Sequence, residues 1–168
     1  MIATEKLEEI LAKCRIIKEF ATLPEPVLGY YYCDGNYYII LVNESIRNNE
    51  CLYRCVLAEE IGHYRMTIGD ITPRKYMCYR DRLTMDKQEQ EAIRWAINFV
   101  IPTTELIDLL KRTKHPDIKD LEDYFFVTHE FLMQKFYFMS KQNCIWDIDG
   151  KRSLYLYRYP SVHIFEKI

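Results

Sequence analysis

The feature that most constrains the fold is a pair of tyrosine-rich segments directly before a long helical segment. The run LGYYYCDGNYYIILVN, residues 28–43, contains two stretches rich in Tyr, Ile and Val around Asp34-Gly35. Asp-Gly is a dipeptide that the tight turn of a β-hairpin favours. The sequence therefore predicts a β-hairpin here, followed by a helix from about Ser45 to Met66.

The remaining segments predict an α+β protein built on a small mixed or antiparallel sheet. Further helices are expected, in chain order, over residues 3–14, over about 85–100 and, as two or three shorter helices, within 104–142. Asp117 and Thr128 are plausible caps of the shorter helices. A short strand is expected at RIIKEF, a loop over 67–83, and a C-terminal β-hairpin around a second Asp-Gly turn.

The length of the chain favours one domain. A chain of 168 residues can bury a sizeable core, and no repeat or Gly/Ser-rich linker marks an internal boundary. We expect a single domain over 1–168, with a core at 1–102, a helical segment at 103–142 and C-terminal strands at 143–168.

The charge balance and the N-terminus favour a cytoplasmic protein. The 23 basic and 25 acidic residues nearly cancel, so the chain has no overall attraction to nucleic acid or to an anionic membrane. The N-terminal segment lacks the apolar core of a signal peptide, and no segment reaches the roughly 18 apolar residues of a membrane helix. The six cysteines include no CxxC pair and are expected to be thiols.

The succession of short helices predicted for segment 103–142 is similar to a helix-turn-helix, but the charge of the segment argues against DNA binding. It carries six basic and seven acidic residues, whereas contact with DNA phosphates requires a basic surface. We expect this segment to pack against the core or to dock a protein partner.

A candidate metal site lies in CVLAEEIGHYRM, where Glu59, Glu60 and His63 form the pattern E-E-x-x-H. Glu59 and His63 are one helical turn apart on one face, within reach of a common metal ion. Glu60 lies about 100° round the helix, where it could touch a water molecule, and Gly62 would let another element approach closely. By itself the pattern is weak, and a charged surface helix is the simpler explanation.

A third candidate ligand is Glu89, in the predicted helix MDKQEQEAIRWAINFVIP. The apolar stripe of this helix consists of Ala92, Trp95, Ala96, Phe99 and Val100. Glu89 lies roughly 50° from the centre of that stripe. A carboxylate in this position is either paired with a cation or stabilised by the helix dipole in the first turn of the helix. The residues alone leave both interpretations open.

Together, LAEEIGH and, about 26 residues later, KQEQEAIRWAINFVIP resemble the ImmA/IrrE family of metallo-endopeptidases, especially the branch of phages and mobile elements. The resemblance implies a zincin-like motif helix in which His63 is a metal ligand, Glu60 is the general base and Glu89 is the downstream glutamate ligand. Glu59 stands where the family has its first histidine ligand. The implied cofactor is Zn²⁺, and the additional carboxylate shifts preference toward Mn²⁺ or another harder divalent ion.

The resemblance also implies a function. It predicts a metal-dependent endopeptidase that cleaves a specific protein, typically a phage-type helix-turn-helix repressor, without binding nucleic acid or membrane itself. The alternative is a peptidase-fold protein of weak or no activity that binds a repressor or another protein partner.

Overall fold

The structure, a computed structural model, describes residues 4–66, 79–114 and 116–166, and within 79–86 the backbone alone. The chain forms two compact units, residues 2–96 and 97–168. The predicted α+β class is confirmed.

The N-terminal unit combines a three-stranded mixed sheet with helices. Its elements are α1 (Thr4–Cys14), β1 (Ile16–Ala21), β2 (Gly29–Cys33), β3 (Tyr38–Asn43), α2 (Glu50–Met66) and most of α3 (Tyr79–Val100). The strand order is β1-β3-β2. Strands β2 and β3 form the predicted antiparallel hairpin. Strand β1 pairs with β3 in parallel, which no local pattern indicated.

Helix α2 begins later than the sequence predicts. Residues Glu44–Ile46 form a separate 3₁₀ turn, and α2 starts at Glu50 rather than near Ser45. Two asparagine side chains explain the break. The side chain of Asn43 accepts a hydrogen bond from the backbone N–H of Ser45, and that of Asn49 accepts one from Leu52. Asn43 caps the 3₁₀ turn and Asn49 caps α2, so the two segments remain separate helices.

Helix α3 is longer than predicted. It begins at Tyr79, so the loop expected over 67–83 is wrong for residues 79–83, while residues 67–78 lie outside the described part of the chain. Between Tyr79 and Val100 the sequence contains no Gly or Pro, so nothing in it interrupts the helix.

Helix α2 is the central element of the N-terminal unit. Its residues 53–58 and 60–63 are buried around the whole circumference, and it contacts strands β2 and β3. A surface helix would bury only one stripe. The charged motif therefore lies on an interior helix, contrary to the interpretation as a surface helix.

The C-terminal unit contains α4 (Thr103–Arg112), α5 (Ile118–Phe125), α6 (His129–Gln142), β4 (Ile145–Asp147), β5 (Arg152–Tyr155) and β6 (His163–Glu166). The predicted caps are confirmed, because the side chain of Asp117 accepts from the N–H of Asp120 and that of Thr128 accepts from Phe131. The C-terminal strands form a three-stranded antiparallel sheet rather than a hairpin alone, since β6 pairs with β5.

A buried lysine connects helices α6 and α4 with the last turn of α3, residues 97–100, which belongs to the C-terminal unit. The Lys135 ammonium on α6 donates to Asn98 Oδ1 near the end of α3 and to Thr103 Oγ1 at the start of α4, each at 2.7 Å. Lys135 is fully buried, and burial lowers its pKa to about 8. Its two hydrogen bonds fix the corner between α3 and α4.

Within the described residues, no helix combines the length and apolar character needed to cross a membrane. The five cysteines in the described part of the chain form no disulfide bond.

Candidate active site

The side chains of His63 on α2 and Glu89 on α3 meet. Their Nε2 and Oε2 atoms lie 3.6 Å apart. The His63 side chain is 9% exposed and that of Glu89 is 51% exposed, so the pair lies at the edge of the interior. Two residues that the sequence separates by a long segment are thus brought together by the packing of the two helices.

Gly62 is what allows α3 to come so close. A Cβ atom at Gly62 would lie 2.3 Å from the backbone oxygen of Ala92, far inside normal contact distance. Ala92 lies on α3 three residues after Glu89, about one helical turn. The expected close approach at Gly62 is confirmed, and its partner is the backbone of the helix that carries Glu89.

Two further carboxylates adjoin this pair. Glu60 is buried, and Glu59 is half-buried. Burial, together with the charge of Glu89, raises the pKa of Glu59 to about 7. Burial and the charges of Glu59 and Glu89 raise the pKa of Glu60 to about 8. Glu59 and Glu60 are thus poorly solvated by water, and both feel the charge of the half-exposed Glu89.

His63 presents a neutral imidazole to the site. Burial lowers its pKa below the usual value, and this effect exceeds the opposing influence of the Glu89 carboxylate. At neutral pH the ring is therefore uncharged, which is the form that binds a metal ion.

The donor chemistry of these residues fits a divalent cation. One neutral imidazole and two carboxylates are ligands that zinc accepts, and carboxylates also suit manganese. Burial is the main cause of the raised pKa values of Glu59 and Glu60, and a cation beside them would favour the ionised carboxylates and offset their mutual repulsion. Among the described residues, no three His, Cys, Asp or Glu side chains are already gathered as a finished metal site. The side chains of Glu59, His63 and Glu89 would have to close around the ion.

Glu60 has contacts that the sequence did not reveal. Its carboxylate accepts a hydrogen bond from the backbone N–H of Tyr31 on β2. A Cβ atom at Gly29, at the start of the same strand, would lie 2.4 Å from Glu60 Oε1. A glycine inside a strand can mark a close approach of another group, and this was the available signal in the sequence.

Comparison with known proteins places the chain in a family. The family model described as "IrrE N-terminal-like domain", Peptidase_M78, matches residues 15–137. Comparison with curated proteins found no match. A solved structure with a similar fold is a Mycobacterium tuberculosis transcriptional regulator, with 16% sequence identity and a TM-score of 0.56. The alignment covers 79% of this chain and 40% of that protein, so this chain spans less than half of its length. Because the family match covers more than half of the residues, the chain belongs to the Peptidase_M78 family of IrrE N-terminal-like domains.

Proposed function

We propose that this protein is a cytoplasmic, metal-dependent endopeptidase that cleaves a specific protein substrate. The observation that carries the proposal is the meeting of His63 and Glu89 at 3.6 Å beside Glu59 and Glu60. This arrangement joins the two halves of the sequence motif in one partly buried place. Membership of a peptidase family supports the same conclusion.

Each side chain has a role in the proposal. Glu59, His63 and Glu89 hold a zinc ion or a similar divalent ion. When bound, the ion supplies Lewis acidity that polarises the scissile carbonyl group. Glu60 takes a proton from the attacking water and returns it to the leaving amine. Burial of Glu60 keeps bulk water from competing for its carboxylate.

The proposed substrate is a phage-type helix-turn-helix repressor encoded beside this protein. The resemblance to ImmA/IrrE peptidases supports this choice. Cleavage of the repressor would release the genes that it represses. The acidic balance of residues 103–142 favours a protein over DNA as the partner.

The proposal is tested by metal-dependent cleavage. Purified protein is incubated with the neighbouring repressor in the presence of zinc, manganese or a chelator, and cleavage is followed by mass spectrometry. We expect specific cleavage that the chelator stops and that the His63→Ala variant lacks. Unchanged cleavage by His63→Ala, or in the presence of the chelator, contradicts the proposal.

A second candidate is a protein that binds the repressor without cutting it. It is favoured by the absence, among the described residues, of a finished three-ligand group. It predicts a stable complex with the intact repressor and no stoichiometric metal after dialysis against zinc. The cleavage experiment separates the two candidates, because only the first yields peptide fragments.

Glu59 provides a test of the ligand set. Glu59→Ala is expected to weaken zinc binding by at least about tenfold, since even changes outside the ligand shell cost that much. Glu59→His is expected to bind zinc at least as tightly as the wild type, because both side chains supply one ligand atom. The less negative ligand set also leaves more charge on the ion, which shifts the acidic limb of any activity profile to lower pH.

Zinc titrations of these two variants and the wild type measure the effect. Glu91→Ala, which removes a carboxylate that pairs with Lys87 on α3, is the matched control. If Glu59→Ala binds zinc as tightly as the wild type, Glu59 is not a ligand.

A further inference from the structure

We propose that the N-terminal end of strand β2 is a seat that positions Glu60, formed by the space at Gly29 and the backbone N–H of Tyr31. Gly29 is then a positioning residue for the general base. The catalytic meaning of the seat rests on the proposed function, whereas its existence does not.

The space at Gly29 is filled by Glu60. A Cβ atom at Gly29 would lie 2.4 Å from Oε1 and 2.9 Å from Cδ of Glu60, and 2.7 Å from Cγ1 of Val56. Gly29 lies in strand backbone outside the left-handed region. Its backbone therefore does not require glycine, and the lack of a side chain matters only for the room it leaves to α2.

The hydrogen bond from Tyr31 explains why Glu60 stays there. In the order β1-β3-β2, strand β2 has β3 as its neighbour on one side and lies at the edge of the described sheet. The carboxylate of Glu60 accepts a hydrogen bond from the Tyr31 N–H. A buried carboxylate that would otherwise lose its hydration is thus held by a backbone donor.

Fixing the carboxylate matters for the proposed reaction. A glutamate side chain has several rotamers, and a general base acts only within hydrogen-bond distance of the proton that it removes. Contact with Gly29 and Tyr31 restricts Glu60 to one side of α2, beside Glu59 and Glu89. The three atoms nearest to a methyl group at position 29 belong to Glu60 and Val56, so we expect it to displace the Glu60 carboxylate rather than His63 or Glu89.

Amide hydrogen exchange tests the seat without any substrate. In the wild type we expect the Tyr31 amide to be protected. In Gly29→Ala and in Glu60→Ala it should exchange up to about tenfold faster, as expected for loss of a hydrogen bond. The Ile40 amide in β3, between β1 and β2, is the reference and should remain unchanged. Unchanged protection of Tyr31 in Gly29→Ala, with Ile40 intact, overturns the proposal.

The double variant Gly29→Ala/Val56→Ala is a control for misfolding of the single variant. The smaller side chain at position 56 removes the 2.7 Å contact between the new Cβ atom and Val56, while the contact with Glu60 remains. If the single variant loses protection at Ile40, the double variant replaces it in the same comparison. Fast exchange at Tyr31 with slow exchange at Ile40 then supports the seat, and slow exchange at both contradicts it.

A double-mutant cycle with the neighbouring repressor as substrate tests the catalytic meaning. We expect Gly29→Ala to lower kcat at least about tenfold with unchanged zinc affinity, and to have little further effect in the Glu60→Gln background. Equal losses in both backgrounds overturn the positioning role. A wild type that does not cleave the repressor, with Tyr31 still protected, contradicts the proposed function and leaves the seat supported.

Discussion

Replacing Glu60 with glutamine is expected to lower the rate of repressor cleavage by about 10²–10⁴-fold, the usual contribution of a general base, while zinc binding changes little. Glutamine has nearly the same shape and can still accept the hydrogen bond from Tyr31, but it cannot take a proton from water. Single-turnover cleavage with excess enzyme measures the chemical step. Glu91→Gln is the matched control, and it should cleave at the wild-type rate. Cleavage by Glu60→Gln at a comparable rate would remove Glu60 from the mechanism.

The same substitution has an expected effect on stability that needs no substrate. Burial raises the pKa of Glu60 from 4.5 to about 8 in the metal-free protein. An acid with a raised folded-state pKa binds more protons folded than unfolded, so stability falls as pH rises from about 4.5 to about 8. Glu60→Gln removes this loss, which is on the order of a few kcal/mol. Its unfolding temperature should therefore exceed that of the metal-free wild type at pH 8 and approach it near pH 4.5.

Thermal unfolding with and without zinc extends this test. Zinc should stabilise the wild type at pH 8, because a ligand that binds only the folded state shifts the unfolding equilibrium and the cation offsets the repulsion of the carboxylates. Two results together would contradict a shared buried site for the carboxylates. Zinc would not raise the unfolding temperature of the wild type, and the difference in unfolding temperature between the wild type and Glu60→Gln would not change with pH.

Local patterns in the sequence were sufficient for most helices and their caps. Of the five residues in the predicted apolar stripe of α3, Ala92, Ala96 and Val100 are fully buried, and the larger Trp95 and Phe99 are half-buried. Asp117 and Thr128 cap helices as predicted, because a cap depends only on neighbouring backbone groups. Such features depend on a few neighbouring residues and can be predicted without the rest of the chain.

The features that were missed depend on contacts between distant segments. A strand pattern does not specify which strands pair. It therefore did not predict that β1 pairs with β3 in parallel or that β6 joins the C-terminal sheet. Lysine side chains are mostly exposed, whereas Lys135 is fully buried because Asn98 and Thr103, which are distant in the chain, accept its hydrogen bonds.

The sequence proposes the residues of the candidate site but not the contacts around them. The spacing of Glu59, Glu60 and His63 on one helix is a local property, whereas the placement of Glu89 came from the resemblance to a family. The seat of Glu60 at Gly29 and Tyr31 required the structure, because a glycine before a tyrosine run does not state which side chain fills its space.

Gly62→Ala is expected to reduce both stability and metal binding. In an open helix this change stabilises by up to about 1 kcal/mol. Here the new Cβ would lie 2.3 Å from the backbone oxygen of Ala92, and a backbone atom cannot rotate away. Helix α3 must move, at a cost of about 1–3 kcal/mol for overpacking, so the sign of the effect reverses. The shift also carries Glu89 away from His63, and zinc binding should weaken by at least about tenfold.

Gly29→Ala is the matched comparison for this prediction, since the chemical change is identical and two of its three close contacts are to the movable Glu60 side chain. We expect Gly29→Ala to retain most of the stability and the zinc affinity, and Gly62→Ala to lose both. Denaturant unfolding and zinc titration of the two variants provide the measurement. A Gly62→Ala variant that is as stable as the wild type and binds zinc equally well would mean that the contact between α2 and α3 does not place Glu89, and the ligand set proposed here would lose its third member.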